Sequence, residues 1–292
     1  MNTAELLTTA QSREFDRSIL QNIVIKDRIE SFLEDLNIEP LQMRGELCIG
    51  DAPRRSHIFH ASEIGSLTGK TLDGNYPMGC GRALYYGYIG AKVEKSFDPR
   101  LRRIFDTGSA IHLQLQLYLI AYAKKHKKTE KFEDEVKICP ENNIIADKYD
   151  ISAHMDGLYE VNTPAAHIRA GLEIKTINTD GFKVTNGPHA EHIMQGTVYQ
   201  ACLDLPVMIF LYYNKNDSSL AEYVMEFDEH RWKAITDKLD YVRDCAMNNK
   251  EPKQEIGSTC KNCKYAKICK PPGKSRGPLA ATIFRSDRRK EE

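Results

Sequence analysis

The chain has 292 residues, with 41 lysines and arginines against 41 aspartates and glutamates, so its formal net charge is zero. Hydrophobic residues make up 41% and charged residues 28%, which is apolar material enough for a folded domain and too much for intrinsic disorder. Neutral balance excludes a generically basic nucleic-acid coat protein and an acidic disordered segment, but not an enzyme whose charge is local. The neutrality is itself a cancellation: Lys250 to Glu292 carries 12 basic and 5 acidic residues, leaving an acidic body before it.

The first twenty residues, Met1 to Leu20, lack the basic start, apolar core and small-residue cleavage site of a signal peptide. The longest apolar run, Pro206 to Tyr213, is too short to span a membrane. A soluble cytoplasmic protein with no membrane partner is expected. In that compartment eight cysteines are reduced, and are read as metal or cluster ligands or as buried thiols.

In chain order, Phe15, Ile19, Ile23, Phe32 and Leu36 suggest amphipathic helix within an N-terminal arm over residues 1–55. Asp51 to Tyr76 is rich in Ser, Gly and Pro and reads as loop. Within it, Gly65-Ser-Leu-Thr-Gly-Lys-Thr71 imitates a phosphate-binding loop, but only three residues separate its glycines where four are needed. ATP hydrolysis is therefore not expected. A helix follows over 101–122, with His112 at its start in Gly108-Ser-Ala-Ile-His112. Strands are expected near 132–138, 144–161 and 168–177, a helix near 189–204, strands near 207–213 and 220–227, and a helix over 229–249. This order is an α/β or α+β pattern around a mixed sheet. Residues 271–292 read as a basic, flexible tail.

Cys260, Cys263 and Cys269 form a C-x2-C-x5-C group, a nucleus for metal ligation because the first two thiols can turn onto one ion. A fourth thiolate would close a tetrahedral zinc site or a four-iron cluster. Cys80, between Gly79 and Gly81, is the leading candidate and Cys48 the alternative, while Cys139, Cys202 and Cys245 read as buried thiols. Spacing alone does not separate zinc from iron–sulfur. Joining Cys80 to Cys260 closes a loop of about 180 residues. On the loop-entropy estimate that stabilises by roughly 4–5 kcal/mol, the work of a staple.

Asp156 closes His154-Met-Asp-Gly157, and Glu173 and Lys175 share one face of the next strand, with Leu172 and Ile174 on the other. Neighbouring strands would set Asp156 beside Glu173 as hard oxygen ligands for Mg2+ or Mn2+, with an ammonium alongside. Those are the parts phosphodiester hydrolysis needs: a metal on the scissile phosphate, an activated water and a cation for developing charge. An isolated Glu-x-Lys is most often a solvated cross-strand pair. Here His112 offers a nitrogen ligand, and Gln195 and Tyr199 share a face of the following helix.

Taken in order, Cys80 with Arg82 and Tyr86, Gly108 and His112, Asp156-Gly157, Glu173-Ile174-Lys175, Gln195 with Tyr199, then Cys260, Cys263 and Cys269 resemble the RecB-like PD-(D/E)xK nucleases. The likeness is to the iron–sulfur branch, which includes the CRISPR-associated Cas-four exonucleases and the AddB nuclease domain. It covers roughly residues 56–270, and departs where Gly81 follows the first cysteine in place of the proline often found in CRISPR relatives. The resemblance implies a restriction-endonuclease-like core, a mixed sheet flanked by helices. His112, Asp156, Glu173 and the carbonyl of Ile174 would hold Mg2+ or Mn2+. Lys175 would orient or activate water, and Gln195 and Tyr199 would position Lys175 or the DNA. Cys80, Cys260, Cys263 and Cys269 would hold a [4Fe–4S] cluster joining the N- and C-terminal parts.

Basic residues Arg100, Arg102 and Arg103, and Lys124, Lys125, Lys127 and Lys128, flank the His112 helix, and Tyr85, Tyr86 and Tyr88 follow Cys80. Basic clusters can track a DNA backbone and aromatics can stack on single-stranded bases; equally, these can be solvated helix ends and core tyrosines. The expectation is a metal-dependent DNA exonuclease acting on single strands or DNA ends with little sequence specificity. Recombination, repair, phage DNA metabolism or defence would be its setting, with a helicase or defence protein as partner. The alternative is an inactive zinc- or cluster-stapled DNA-binding or assembly module.

Overall fold

The computed structural model describes residues 24–34, 55–66, 68–93, 99–162, 164 and 167–269. Its elements in chain order are α1 (Ile25–Glu34), β1 (Phe59–His60), α2 (Ala61–Ile64), β2 (Gly69–Lys70), β3 (Pro77–Met78), α3 (Gly81–Tyr88) and α4 (Pro99–Lys125). There follow β4 (Glu130–Ile138), α5 (Ile144–Tyr149), β5 (Ile151–Asn162), β6 (His167–Ile177), α6 (Thr179–Val184) and α7 (Ala190–Leu203). The chain continues through β7 (Val207–Asn214), β8 (Leu220–Glu226), α8 (Glu229–Met247), a 3-10 turn (Ser258–Asn262) and α9 (Ala266–Cys269).

Six strands form one mixed sheet. The long strand β5 pairs antiparallel with β4 and with β6, β6 runs parallel to β7, and β7 pairs antiparallel with β8. Strand β1 adds parallel to the start of β5. Both faces are covered, which explains why β7 reads as a continuous apolar run rather than an alternating one. Its Val207, Ile209 and Leu211 pack with Ile25 and Ile29 of α1 and Leu115 and Leu119 of α4. Met208, Phe210 and Tyr212 pack on the opposite face with Met194, Val198 and Tyr199 of α7 and Trp232 and Ile235 of α8. In β6, Ile168, Ala170, Leu172 and Ile174 fill the first of these layers, so Glu173 and Lys175 turn toward α7. Arg28 of α1 reinforces that docking with a buried ion pair to Glu130, 3.0 Å long.

Three expectations need correction. The strand expected over 144–161 is a helix followed by a strand. Asn143 accepts the N–H groups of Ile145 and Ala146 at 3.0 and 2.9 Å, and Asp150 ends the turn at φ 53°. A side-chain cap therefore overrides the strand-like Ile-Ile pair. The loop expected over 51–76 holds β1, α2 and β2, and the phosphate-loop imitation is the end of α2 followed by a strand that pairs with β3. His112 lies near the middle of the 27-residue α4, not at its start. The helical reading of 101–122 holds, as does the burial of Cys139, Cys202 and Cys245. Residues 1–23, Leu36, Cys48 and the tail 271–292 lie outside the described residues.

Candidate active site

The site forms where β5 and β6 part. Their ladder ends at Gly157 opposite Leu172, so the next pair, Asp156 and Glu173, exchanges no backbone bonds. The Asp156 side chain fills the gap instead: Oδ2 accepts the Ile174 N–H at 2.6 Å. A strand residue's N–H and carbonyl point to the same side, so the Ile174 carbonyl also faces this opening. Oδ1 of Asp156 lies 3.2 Å from His112 Nδ1 on α4. That helix comes close because Gly108 has no side chain; a Cβ there would stand 3.2 Å from Thr176 Oγ1.

One turn beyond His112, buried Gln116 donates to the Asp156 carbonyl and to Glu135 Oε1, each at 2.8 Å. Glu135 occupies the left-handed region at φ 50°, and the β4–β5 register passes over it. Such strain costs about 1–3 kcal/mol and persists where surrounding structure enforces it. Sequence reasoning missed both residues, although Gln116 follows His112 at the helical spacing of four.

On the α7 side, Lys175 Nζ donates to Glu173 Oε1 at 2.7 Å and to Gln195 Oε1 at 3.2 Å. Gln195 Nε2 donates to the Tyr199 hydroxyl at 2.5 Å, and that hydroxyl donates to the His154 carbonyl at 2.9 Å. The chain of bonds fixes Lys175 through Gln195 and Tyr199 onto β5. Glu173 is 3% exposed, and its second oxygen, Oε2, has no hydrogen-bond partner among the described residues; the Tyr199 hydroxyl lies near this carboxylate but gives its hydrogen to the His154 carbonyl. Burial pushes the Glu173 carboxyl up to about 7, with Lys175 pulling the other way. Burial would lower Lys175, but the charges of Glu173 and Asp156 hold it above its ordinary value, as an ammonium. His112 is raised likewise: burial opposes its charge, and Asp156 more than compensates. Burial keeps Tyr199 a neutral hydroxyl.

The structure thus brings Asp156, His112 and Ile174 together, and Glu173, Lys175, Gln195 and Tyr199 together. It does not gather one ligand atom from each of His112, Asp156 and Glu173 within 4.8 Å. Among the described residues, the His/Cys/Asp/Glu group that meets this closeness is His189, Glu191 and His192 at the start of α7. Sequence reasoning passed over it, although the H-x-E-H spacing was there to see. Burial holds His192 below the ordinary imidazole range, and its bond to His192 holds Glu191 below the ordinary carboxylate range, so the pair is a neutral ring and an anion.

The predicted carboxylate site nonetheless fits a hard divalent cation. A buried carboxylate oxygen without a partner is costly, and Glu173 Oε2, Asp156 and the Ile174 carbonyl would offer an all-oxygen donor set of the kind that suits Mg2+ or Mn2+. A cleft of about 390 Å3 opens beside Gln195 and Tyr199, with Arg55, Lys137 and His154 in its walls.

Three of the four predicted cysteines, Cys80, Cys260 and Cys269, lie against one segment, 251–257. Cys80 and Cys260 both point at the Glu255 carbonyl, 3.9 and 3.8 Å away. The Cys269 sulfur accepts from Gln254 at 3.5 Å and from Arg82 at 3.9 Å. Cys263 packs at the edge of the core. No three thiols among the described residues lie within 4.8 Å of one another, the closeness a single zinc ion imposes. A polynuclear cluster spreads its thiolates over several metal atoms and sets them farther apart. The joining of this segment to the rest is already strong without either group. Glu255 accepts the Gly81 N–H at 2.6 Å and the Lys70 N–H at 3.0 Å, and pairs with buried Lys238 at 3.1 Å.

Of the proposed DNA contacts, Tyr85, Tyr86 and Tyr88 are buried and cannot stack on bases; they are core tyrosines. Tyr86 donates to Glu251 at 2.9 Å and Tyr88 to Asp150 at 2.8 Å. Arg100, Arg103, Lys124, Lys125, Lys127 and Lys128 are exposed; the side chain of Arg102 lies outside the described residues.

No protein-family profile and no curated protein matches the sequence. Among solved structures, the chain aligns with SSO0001 at 14% identity and a TM-score of 0.44, covering 86% of this chain and 96% of that one. It aligns with an alkaline exonuclease, LHK-Exo from Laribacter hongkongensis, at 18% identity and a TM-score of 0.44, over 67% of this chain and 90% of that one. The complex of LHK-Exo with dAMP aligns with the same identity and score, over 66% and 89%. At such identity the chemistry must come from the side chains themselves. Among the described residues, no helix is long and apolar enough to cross a membrane.

Proposed function

We propose that this chain is a metal-dependent deoxyribonuclease, with Asp156, Glu173, Lys175 and His112 at its centre. The observation that carries the reading is Glu173: a buried carboxylate with one oxygen on Lys175 and the other without a hydrogen-bond partner among the described residues, beside a strand opening that Asp156 and the Ile174 carbonyl line. A structural ion pair would have both oxygens satisfied or solvated.

A divalent ion held by Asp156, Glu173 and the Ile174 carbonyl would supply Lewis acidity to the scissile phosphate and lower the pKa of a water. The chain's own residues do the rest. Lys175, kept as an ammonium, orients that water and offsets charge as its oxygen attacks phosphorus and the P–O3′ bond breaks, leaving a 5′-phosphate and a 3′-hydroxyl. Gln195 and Tyr199 hold Lys175 in place, and His112 with Gln116 orients Asp156. The exposed basic residues of α4 and the turn after it track a phosphate backbone by charge, without reading sequence. Single strands or DNA ends are the substrate, and the residue span 56–270 is the nuclease domain.

The thiols of Cys80, Cys260, Cys263 and Cys269 belong in this reading to a [4Fe–4S] cluster, supported by the N–H donors of Arg82 and Gln254 on the Cys269 sulfur. Hydrogen bonds to sulfur are a feature of such clusters. Anaerobically purified protein should be brown and contain iron and labile sulfide; colourless protein with zinc would refute the cluster. The nuclease reading is tested by digesting single- and double-stranded DNA, labelled at either end, with Mg2+ or Mn2+. Wild type should release labelled fragments, and Lys175→Ala should be at least about 100-fold slower. Equal rates would remove Lys175 from the chemistry, and no cleavage of any substrate would favour a binding or assembly module.

A further inference from the structure

The cluster at the start of α7 has the character of a second metal site. His189, Glu191 and His192 each offer a ligand atom, all within 4.8 Å of one another. What separates them from a chance surface grouping is how the rings are held. Thr185 Oγ1 donates its one hydrogen to the Gly181 carbonyl at 2.8 Å. Its 3.0 Å contact with His189 Nε2 therefore has the imidazole N–H as donor, which leaves Nδ1 of His189 as a lone pair. On His192, Nδ1 lies 2.6 Å from the Tyr212 hydroxyl, whose oxygen also accepts the His189 backbone N–H at 2.9 Å. The other nitrogen, Nε2, faces Glu191 Oε1 at 3.3 Å. The two rings lie 14° from parallel with centroids 5.3 Å apart. Each imidazole thus has its remote nitrogen tied to a hydroxyl, the arrangement that orients histidines as metal ligands.

We infer that His189, Glu191 and His192 bind a borderline first-row divalent cation such as zinc or cobalt, at a site separate from the oxygen-lined opening at Asp156 and Glu173. Two imidazoles and one carboxylate suit zinc, whereas Mg2+ prefers oxygen and water. Three protein ligands leave a fourth position for water, so the site is of the open kind. On binding, His192 carries its proton on Nδ1 and donates it to Tyr212, whose oxygen has a second lone pair for this bond. The N-terminal end of α7 and the nearby Lys175 bring positive charge, and the Glu191 carboxylate is what offsets it.

Titration of the metal-free full chain with Co2+, followed by its visible ligand-field absorption, tests this without any activity measurement, so its outcome is independent of the nuclease reading. Cobalt at the four cysteines would show thiolate charge-transfer bands; apart from it, wild type and Glu173→Gln should both bind a cobalt that zinc displaces and whose spectrum lacks those bands. His189→Gln and His192→Gln should lose that cobalt while keeping their far-ultraviolet circular dichroism. Tyr212→Phe removes only the supporting hydroxyl and should weaken affinity about 10–100-fold, which decides the matter should either histidine variant fail to fold. Unchanged cobalt binding in the folded histidine variants or in Tyr212→Phe, or its loss in Glu173→Gln, would overturn the assignment.

Discussion

Magnesium should stabilise this protein by an amount that shrinks as Glu173 takes up a proton. Glu173 is 3% exposed, its Oε2 has no hydrogen-bond partner among the described residues, and burial lifts its carboxyl to about 7. A cation at that oxygen binds the ionised form and not the acid, so binding and deprotonation are linked. With Mg2+ at about 100 times its dissociation constant, the stabilisation is about 2.7 kcal/mol. Each kcal/mol moves the melting temperature of a chain this size by about 2–4 °C, so the shift at about pH 8 is about 5–10 °C. At about pH 6 only about a tenth of Glu173 is ionised, the apparent affinity falls about tenfold, and about 1.4 kcal/mol of the stabilisation goes. The shift should then drop by about 3–6 °C. Thermal melts with and without Mg2+ at the two pH values, on wild type, Asp156→Asn and Glu173→Gln, measure this directly. A magnesium shift independent of pH, or one retained in full by both variants, would refute the reasoning.

Three further outcomes follow from the same structure. Glu255→Ala leaves Lys238, 2% exposed, without its carboxylate, and urea unfolding should show a loss of about 3 kcal/mol, since breaking a buried pair strands a charge; an unchanged midpoint would deny Glu255 its joining role. Gly157→Ala puts a Cβ 2.3 Å from Phe132 Cε2, and should cost about 1–3 kcal/mol by overpacking and slow cleavage through the neighbouring Asp156; full stability and activity would count against this packing. Glu222 accepts the Lys26 N–H at 2.9 Å, yet burial raises its carboxyl from 4.5 to about 7. A raised carboxyl favours folding in its protonated form, so its contribution is full below about 4.5 and gone above about 7. Glu222→Gln should flatten the decline of stability across that window relative to wild type, and equal slopes would contradict the assignment.

Much of this arrangement could be read from the chain because it rests on period and spacing. The alternation of Leu172 and Ile174 with Glu173 and Lys175 places the last two on one face, and the four-residue interval sets Gln195 and Tyr199 on another face that meets it. What escaped is decided by single polar atoms or by distant partners. Ile144 and Ile145 look like a strand until Asn143 caps them into a helix. Lys238 on α8 and Glu255 in the basic terminal region look like two unrelated solvated charges, and their meeting beside Gly81 and Lys70 depends on how α8 and the cysteine segment fold back. Tyr85, Tyr86 and Tyr88 could equally have stacked on bases; a helix buried on nearly every side gives no apolar stripe to tell them apart. The strain at Glu135 leaves no trace in composition at all.

The central claim is that Asp156, Glu173 and Lys175 form a hydrolytic centre rather than a structural ion pair. Single-turnover cleavage of end-labelled single-stranded DNA in Mg2+ or Mn2+, run beside a DNA-binding titration of the same preparations, tests it most directly. Wild type should cut and leave 5′-phosphates, while Lys175→Ala binds DNA with similar affinity and cuts at least about 100-fold more slowly. Cleavage by Lys175→Ala at the wild-type rate would contradict the account.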